Sequence, residues 1–382
     1  MEKLIPKLRF PEFREDWKQN QLKSVVSINP KVKPLPEEFI YIDLESVEKG
    51  VLLFEKKISK NDAPSRATRT LEKDDILFQT VRPYQRNNYL FIKSESNYVA
   101  STGYAQLRTQ QIPKFIYQIL STDNFNNDVM NRCTGTSYPA INSTDLGDIK
   151  ISYPTLQEQT KIADFLGAVD KQLNILNQKK EKLNLYKKGV MQQLFSQQIR
   201  FKDDNGNDFP EWEEKTLGEV FKISAGGDVK KENVKPIADE IFKYPIYANS
   251  DKNNGLYGYT NDYKIEGETI TVTGRGNLGI AVARFEKYYP IVRLLILKPK
   301  LNQNILFFKE IINSLNIISE STGVPQLTAP QLSKYKIEFP TLEEQTKIAE
   351  FLSAIDKQIE TVENQITKTE TYKKGLLQQM FV

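Results

Sequence analysis

The sequence predicts an α+β protein with two mixed α/β domains, separated by two long helices that pack on each other as a coiled coil. Three observations carry this. A stretch in the middle of the chain is written again at its end, and each copy has the residue spacing of a long amphipathic helix. The segments before the copies each hold several short β-rich runs and one helical run.

The repeat is the strongest of the three. YPTLQEQTKIADFLGAVDKQ begins at Tyr153, and FPTLEEQTKIAEFLSAIDKQ begins at Phe339. Carried without a gap to LYKKGVMQQLF and TYKKGLLQQMF, the copies agree at about 23 of about 43 positions, which marks a duplication. A fainter echo opens each half: FPEFREDWKQNQL from Phe10 and FPEWEEKTLGEV from Phe209. Between opener and repeat the halves share little sequence, as expected of diverged modules on one plan. This divides the chain into a first domain over residues 1–152, a helical spacer over 153–197, a second domain over 198–338 and a second spacer over 339–382.

Each copy starts as a helix should. Thr155 with Glu158, and Thr341 with Glu344, have capping-box spacing, while Pro154 and Pro340 bar helix on the N-terminal side. Beyond them Ile162, Leu166, Val169, Leu173 and Leu176, continued by Leu183, Val190 and Leu194, recur at spacings of three and four or their sums. In the second copy Ile348, Leu352, Ile355, Ile359 and Val362, continued by Ile366, Leu376 and Met380, keep the same register. Lys180 stands where the other copy has Ile366, and Lys187 and Lys373 follow one heptad on, so the seam is imperfect. One long amphipathic helix is marginal alone, and the economical arrangement joins the two seams. About 36 residues at ~1.5 Å each give a rod of about 54 Å.

The diverged segments follow a common order. In the first, FIYIDLES, DILFQTV, YLFIKS and YAQLRT read as strands and PKFIYQILS as a short helix. In the second, IFKYPIYAN, ETITVTG, GIAVARF and PIVRLLIL read as strands and NILFFKEIINSLN as an amphipathic helix. After each helix a Thr–Gly pair, Thr134 with Gly135 and Thr322 with Gly323, leads through a polar loop into a last short strand.

Polar, planar and cationic side chains crowd these loops. TVRPYQRNNY holds Arg82, Tyr84, Gln85, Arg86, Asn87 and Asn88, and TGRGNLG holds Arg275 and Asn277. The loops after the Thr–Gly pairs add Ser137, Tyr138 and Gln326. Such side chains bind base edges in pairs of hydrogen bonds or grip phosphates, so they are the candidate nucleic-acid contacts. For each one singly, a solvated surface or turn role is the competing reading.

Composition excludes more than it selects. A net charge of +4 and a pI near 8.7 permit an acidic partner without demanding one. The single cysteine, Cys133, rules out an internal disulfide framework and suits a reducing compartment. With no histidine, His-based triads and the usual zinc sites are absent. The opening MEKLIPKLRF lacks an apolar core of signal-peptide length, and no apolar run reaches membrane-spanning length, so the expected location is the cytoplasm.

Three patterns imitate other chemistry. GRGNLG, from Gly274 to Gly279, matches a dinucleotide fingerprint, but the strand-like IAVARF follows where a helix should receive the pyrophosphate. A glycine-rich β-turn presenting Arg275 and Asn277 fits better. Asp43, Glu55 and Lys57 are the types a metal-dependent nuclease uses, a combination that chance supplies readily among 49 acidic and 53 basic residues. Lys187 and Lys188 with their copies Lys373 and Lys374 could form a basic patch, although a solvated helix face is the plainer reading.

A proline, then L-x-E-Q-x-K-I-A-x-F-L, then a long helix, twice per chain, resembles the conserved regions of type I restriction-modification specificity subunits. DILFQTVRPYQRN and the Thr–Gly loops are similar to the target-recognition domains of that family. The resemblance implies two target-recognition domains, each reading half of a split double-stranded DNA target, and two helices that run antiparallel as spacer and docking surface. It implies two modification subunits that use S-adenosylmethionine to methylate adenine, and restriction or motor subunits that use ATP with Mg. The specificity subunit itself holds no cofactor, metal or catalytic residue. In keeping with this, the sequence has neither an N/D-P-P-Y/F motif nor a G-x-x-x-x-G-K-S/T loop. A rod of about 54 Å would span about 16 base pairs at ~3.4 Å each, making the gap between half-sites a property of the helices.

Overall fold

The computed structural model describes residues 4–31, 33–95, 97–315, 317 and 326–382. The chain forms two compact units, Met1–Gln178 with Asn364–Val382, and Lys179–Glu363. Each unit therefore takes a segment of both long helices, Leu156–Phe195 and Leu342–Met380.

In the first unit the strand Val26–Ile28 pairs with Tyr104–Thr109, which pairs with Ile76–Gln79 and through it with Tyr89–Leu90, all antiparallel. A second sheet runs Lys56–Ser59, Glu38–Ile42, Tyr98–Ser101, Ala67–Thr70 and contains one parallel pair. Pro113–Leu120 is the expected helix. Asp123–Arg132, a second helix, carries too few apolar residues to announce itself, and starts where the Thr122 hydroxyl accepts from the Phe125 N–H. In the second unit the main sheet runs Phe221–Ala225, Leu295–Pro299, Thr269–Val272, Ala281–Arg284, beside a three-stranded sheet of Leu256–Thr260, Tyr244–Tyr247 and Tyr289–Pro290. PIVRLLIL, expected as one strand, is broken: Val292 and Arg293 turn left-handed, with φ of 52° and 59°, between Tyr289–Pro290 and Leu295–Pro299. The GRGNLG segment joins two antiparallel strands, Thr269–Val272 and Ala281–Arg284, so no helix receives a phosphate there.

The long helices are fastened to each unit in the same way. In the first unit Arg9 donates from Nε and one Nη to the two oxygens of Glu158, at 2.8 Å each, and a further bond runs to the Glu15 carbonyl at 2.6 Å. In the second, Arg200 reaches Glu344 at 3.2 and 2.7 Å and the Pro210 carbonyl at 2.6 Å. Both glutamates are buried, and the ion pairs hold the guanidinium pKa values up. Glu158 and Glu344 thus serve an arginine, where sequence spacing assigned them to capping boxes. The ring beside each arginine packs edge-on against the helix, Phe10 on Phe165 at 5.9 Å and Phe201 on Phe351 at 5.8 Å. Phe10 therefore corresponds to Phe201, not to Phe209; a longer connection between Arg200 and Trp212 shifts the register that the sequence echo suggested. Trp17 and Trp212 then lead into equivalent edge strands, Lys18–Gln21 against Lys150–Tyr153 and Glu213–Thr216 against Lys336–Phe339.

A buried glutamine on the next helical position repeats the device. Gln159 accepts from the Ile112 N–H and donates to the Pro154 carbonyl and the Gln111 side chain; Gln345 does the same with Asn304, Pro340 and Gln303. These bonds tie the start of each long helix to the start of the unit's amphipathic helix.

Within each unit the two helix segments pack antiparallel. In the second, Lys180 pairs with Glu363 at 2.7 Å and Lys187 with Asp356 at 2.7 Å, so numbering rises on one helix as it falls on the other. Lys187 also reaches Glu310 at 2.9 Å; burial pushes its ammonium down, but the hydrogen bonds to Asp356 and Glu310 outweigh that and raise it. In the first unit the equivalent Lys373 pairs with Asp170 at 2.5 Å, and Asp170 also accepts from Gln118. Lys187 and Lys373 are therefore ion-paired seam residues, neither a basic patch nor a solvated face. Ile162 and Leu166 lie in the first core with Leu376, Met380 and Phe115, and Val169 packs against it. Ile348, Leu352 and Ile355 lie in the second with Val190, Leu194 and Phe307, and Ile359 packs against it. Leu176 and Val362 are buried too, whereas Leu173 is half-buried.

Removing one member of a buried ion pair strands the other charge at a typical cost of ~3–5 kcal/mol. Glu344→Ala is expected to lower the unfolding midpoint in urea markedly, and Arg200→Met with Glu344→Leu to recover much of the loss. Equal destabilisation by the single and the double change would remove this fastening role.

Candidate nucleic-acid interface

In the first unit the strand Ile76–Gln79 ends in a loop shaped by one buried side chain. Gln79 donates to the Val81 carbonyl at 2.8 Å and to the Gln85 side chain at 2.7 Å, and accepts from the Asn87 N–H at 3.0 Å. Its own N–H is taken by the Asn88 side chain at 2.9 Å. This network holds Arg82 and Arg86 in left-handed backbone, φ 54° and 56°, on either side of the short turn Pro83–Gln85. Arginine rarely adopts that conformation, so the surrounding bonds must impose it. In the sequence the one sign of this network is a polar residue completing an otherwise apolar strand.

A second segment closes on this loop. Arg82 N–H donates to the Pro139 carbonyl at 2.7 Å, Ile141 N–H to the Thr80 carbonyl at 3.0 Å, and Val81 bridges Ala140. The Arg82 guanidinium stacks 4.4 Å over the Tyr138 ring. Loops far apart in the sequence thus place Arg82, Tyr84, Ser137 and Tyr138 together, with Tyr84 and Tyr138 more than half exposed.

The other candidates of this loop are engaged internally. Gln85 and Asn87 are held by Gln79, and the Asn87 side chain also accepts from the Lys49 N–H. Asn88 is buried. Arg86 pairs with Asp123 at 2.8 Å, and the Arg86 guanidinium holds the Asp123 carboxyl below its usual range. Asp123 also accepts from Gln378 at 3.3 Å and lies 4.0 Å from Lys374. Arg86 therefore links the loop to the helix Asp123–Arg132 and to the long helix.

The second unit repeats the construction with different chemistry. Thr269–Val272 ends in Thr273–Ile280, where Leu327 N–H donates to the Gly274 carbonyl at 2.9 Å and Arg275 bridges Gln326. Asn277 is exposed and donates to Asp251 at 2.7 Å. A loop absent from the sequence-based candidates packs here: Asn249 accepts from the Gly274 N–H at 2.7 Å and donates to the Val292 carbonyl at 2.5 Å. Thr322 and Gly323 lie outside the described residues.

The imitating patterns dissolve. The Asp43 carboxylate caps its own turn through Ser46 and Glu45, Glu55 pairs with Lys93, and Lys57 pairs with Glu38 at 2.6 Å. Among the described residues no group of three or more His, Cys, Asp or Glu side chains is arranged to hold a metal ion. None of their helices is long and apolar enough to cross a membrane. Cys133 is half-buried, and burial pushes its thiol up, away from reactivity.

Comparison with known proteins gives a consistent answer. The chain is 30% identical over 220 residues to a putative type I specificity subunit of Mycoplasma pneumoniae, covering 57% of this chain and 58% of that protein. It is 28% identical over 273 residues to the type I restriction enzyme MjaVIII specificity subunit of Methanocaldococcus jannaschii, covering 64% of each. The chain thus spans about three-fifths of the length of these relatives. The fold matches the crystal structure of a type I restriction-modification S subunit from M. genitalium, with a TM-score of 0.67, 18% identity and 99% of both chains covered. A chain from a study of complex assembly and conformational transition in a type I R-M system matches with a TM-score of 0.54 and 21% identity, over 95% of this chain and 96% of that one. The model of the type I restriction modification DNA specificity domain matches twice, at residues 14–185 and 210–370, and the chain belongs to that family.

Proposed function

We propose that this chain is the non-catalytic specificity subunit of a type I restriction-modification complex, each of its units reading one half of a split double-stranded DNA target. The supporting observation is the construction found in both units. A strand ends in a polar loop that is bridged to the segment leading, through a short helix, into the last strand and the long helix, Val81 to Ala140 and Arg275 to Gln326. A loop fixed at both ends holds its side chains in place, as base readout requires. Because one unit presents Arg82 stacked on Tyr138 and the other Arg275, Gly276 and Asn277, the halves read would differ.

In this reading two modification subunits methylate adenine with S-adenosylmethionine, and restriction or motor subunits, where present, use ATP with Mg. The chain supplies the address. Its own loops bind, orient and discriminate, and the chemistry belongs to the partners.

Mapping methylated adenines across a genome, with the chain and its modification subunits co-expressed, tests this. Arg82→Ala is expected to relax or change one half of the methylated sequence and Arg275→Ala the other, each leaving the opposite half intact. An unchanged map for both variants would sink the reading.

Arg86 gives a second test. As a positioning residue it acts through Asp123, so Arg86→Gln, Asp123→Asn and the double change should weaken binding to the same extent, roughly three- to tenfold, a fully coupled cycle. Asp123→Asn that left binding intact while Arg86→Gln abolished it would make Arg86 a direct contact. Because Arg86 depresses the Asp123 pKa, the pair's contribution is complete above the unfolded carboxylate range and is lost as pH falls through the lowered value.

A further inference from the structure

The broken strand at Val292–Arg293 is costly and unusually well braced. Two consecutive residues other than glycine stand in left-handed backbone, one of them β-branched, a conformation that persists only where the surroundings impose it. Three braces are visible. Val292 N–H donates to the Gly227 carbonyl at 2.9 Å and Arg293 N–H to the Gly226 carbonyl at 3.2 Å. Gly226 permits this approach, because a Cβ there would stand 2.7 Å from the Pro290 carbonyl carbon and oxygen. The third brace is Asn249, whose amide spans from the Gly274 N–H to the Val292 carbonyl.

The corner therefore lies against the loop already singled out. A Cβ on Gly274 would meet the Arg293 carbonyl oxygen at 3.4 Å, and the next residue is Arg275. Among the described residues Arg9, Arg86, Arg108 and Arg200 pair with carboxylates; Arg293, which is exposed, and Arg275, which is half-buried, are among the arginines that do not. No hydrogen bond or ion pair among the described residues engages the Arg293 guanidinium, yet the Gly226 and Gly227 carbonyls and Asn249 hold its backbone strained. Such strain concentrates at binding sites.

We propose that Arg293 is a DNA contact of the second unit, a cation for the phosphate backbone set beside Arg275, and that Asn249 is the positioning residue holding both loops. The proposal rests on the DNA-recognition reading above and adds to it a residue from what the sequence presents as a plain strand. A paired or buried arginine would be spent on folding; an unpaired one at the meeting point of three loops suits a polyanion, and phosphates take most protein–DNA hydrogen bonds.

The test uses the full chain assembled with its modification subunits and a double-stranded oligonucleotide carrying the methylated target, with affinity measured across a salt series. Arg293→Gly relieves the left-handed strain, so its thermal midpoint should stay close to the parent's while affinity falls at least tenfold. Arg293→Gln should bind as weakly, with the salt dependence of log K shallower by ~0.9, the signature of one lost phosphate contact. Asn249→Asp keeps the acceptor for Gly274 but loses the donor to Val292; it should weaken binding, and adding it to Arg293→Gln should cost little more. If Arg82→Gln and Arg275→Gln weaken binding while both Arg293 variants bind like the parent, the role of Arg293 is overturned and DNA recognition stands. If none of the arginine variants weakens binding, the reading of these loops fails and the role of Arg293 with it.

Discussion

A carboxylate buried one turn into each long helix constrains everything around it. Glu158 and Glu344 are almost wholly removed from solvent, and an isolated charge in that position is untenable without a partner. Arg9 and Arg200 supply the partner, each from a segment that also packs a phenylalanine and leads through a tryptophan into an edge strand. The ion pair thus fixes where the opening segment lies. The edge strand, the last strand and the helix start follow from it, and so does the frame on which the candidate recognition loops hang.

The same logic of neutralising what is buried governs the helices. A lysine in an apolar seam is a defect when read along one helix and a register mark when read across two. Lys187 with Asp356, and Lys373 with Asp170, meet only if the segments run antiparallel in one alignment. Slippage by one turn would leave an ammonium against apolar side chains. Buried ionic groups often add little net stability; their value here is that wrong registers cost more than the right one.

The candidate recognition loops are braced from behind rather than from their tips. Gln79 in one unit and Asn249 in the other are amides whose donors and acceptors are used on backbone and neighbouring side chains, freezing loops whose outward groups stay available. Part of each loop's polar inventory is spent on this bracing, as Gln85, Asn87 and Arg86 illustrate. A crowd of polar residues in one loop is therefore partly scaffold, and only the remainder is left free to meet a partner.

The sequence by itself determined the duplication, the two long helices with their starts, most strands and the single helix expected in each diverged segment. These rest on local spacing and on repetition, which one chain displays without folding. It also drew attention to the candidate loops, because arginine, asparagine and glycine cluster there. Only the tertiary structure decided what each side chain does. That Glu158 answers Arg9, that Phe10 matches Phe201, that Lys187 is a seam residue, and that PIVRLLIL breaks at Val292 all depend on partners remote in the chain. A strand-like run becomes a strained corner when two glycine carbonyls and an asparagine amide hold it more firmly than its own propensity does.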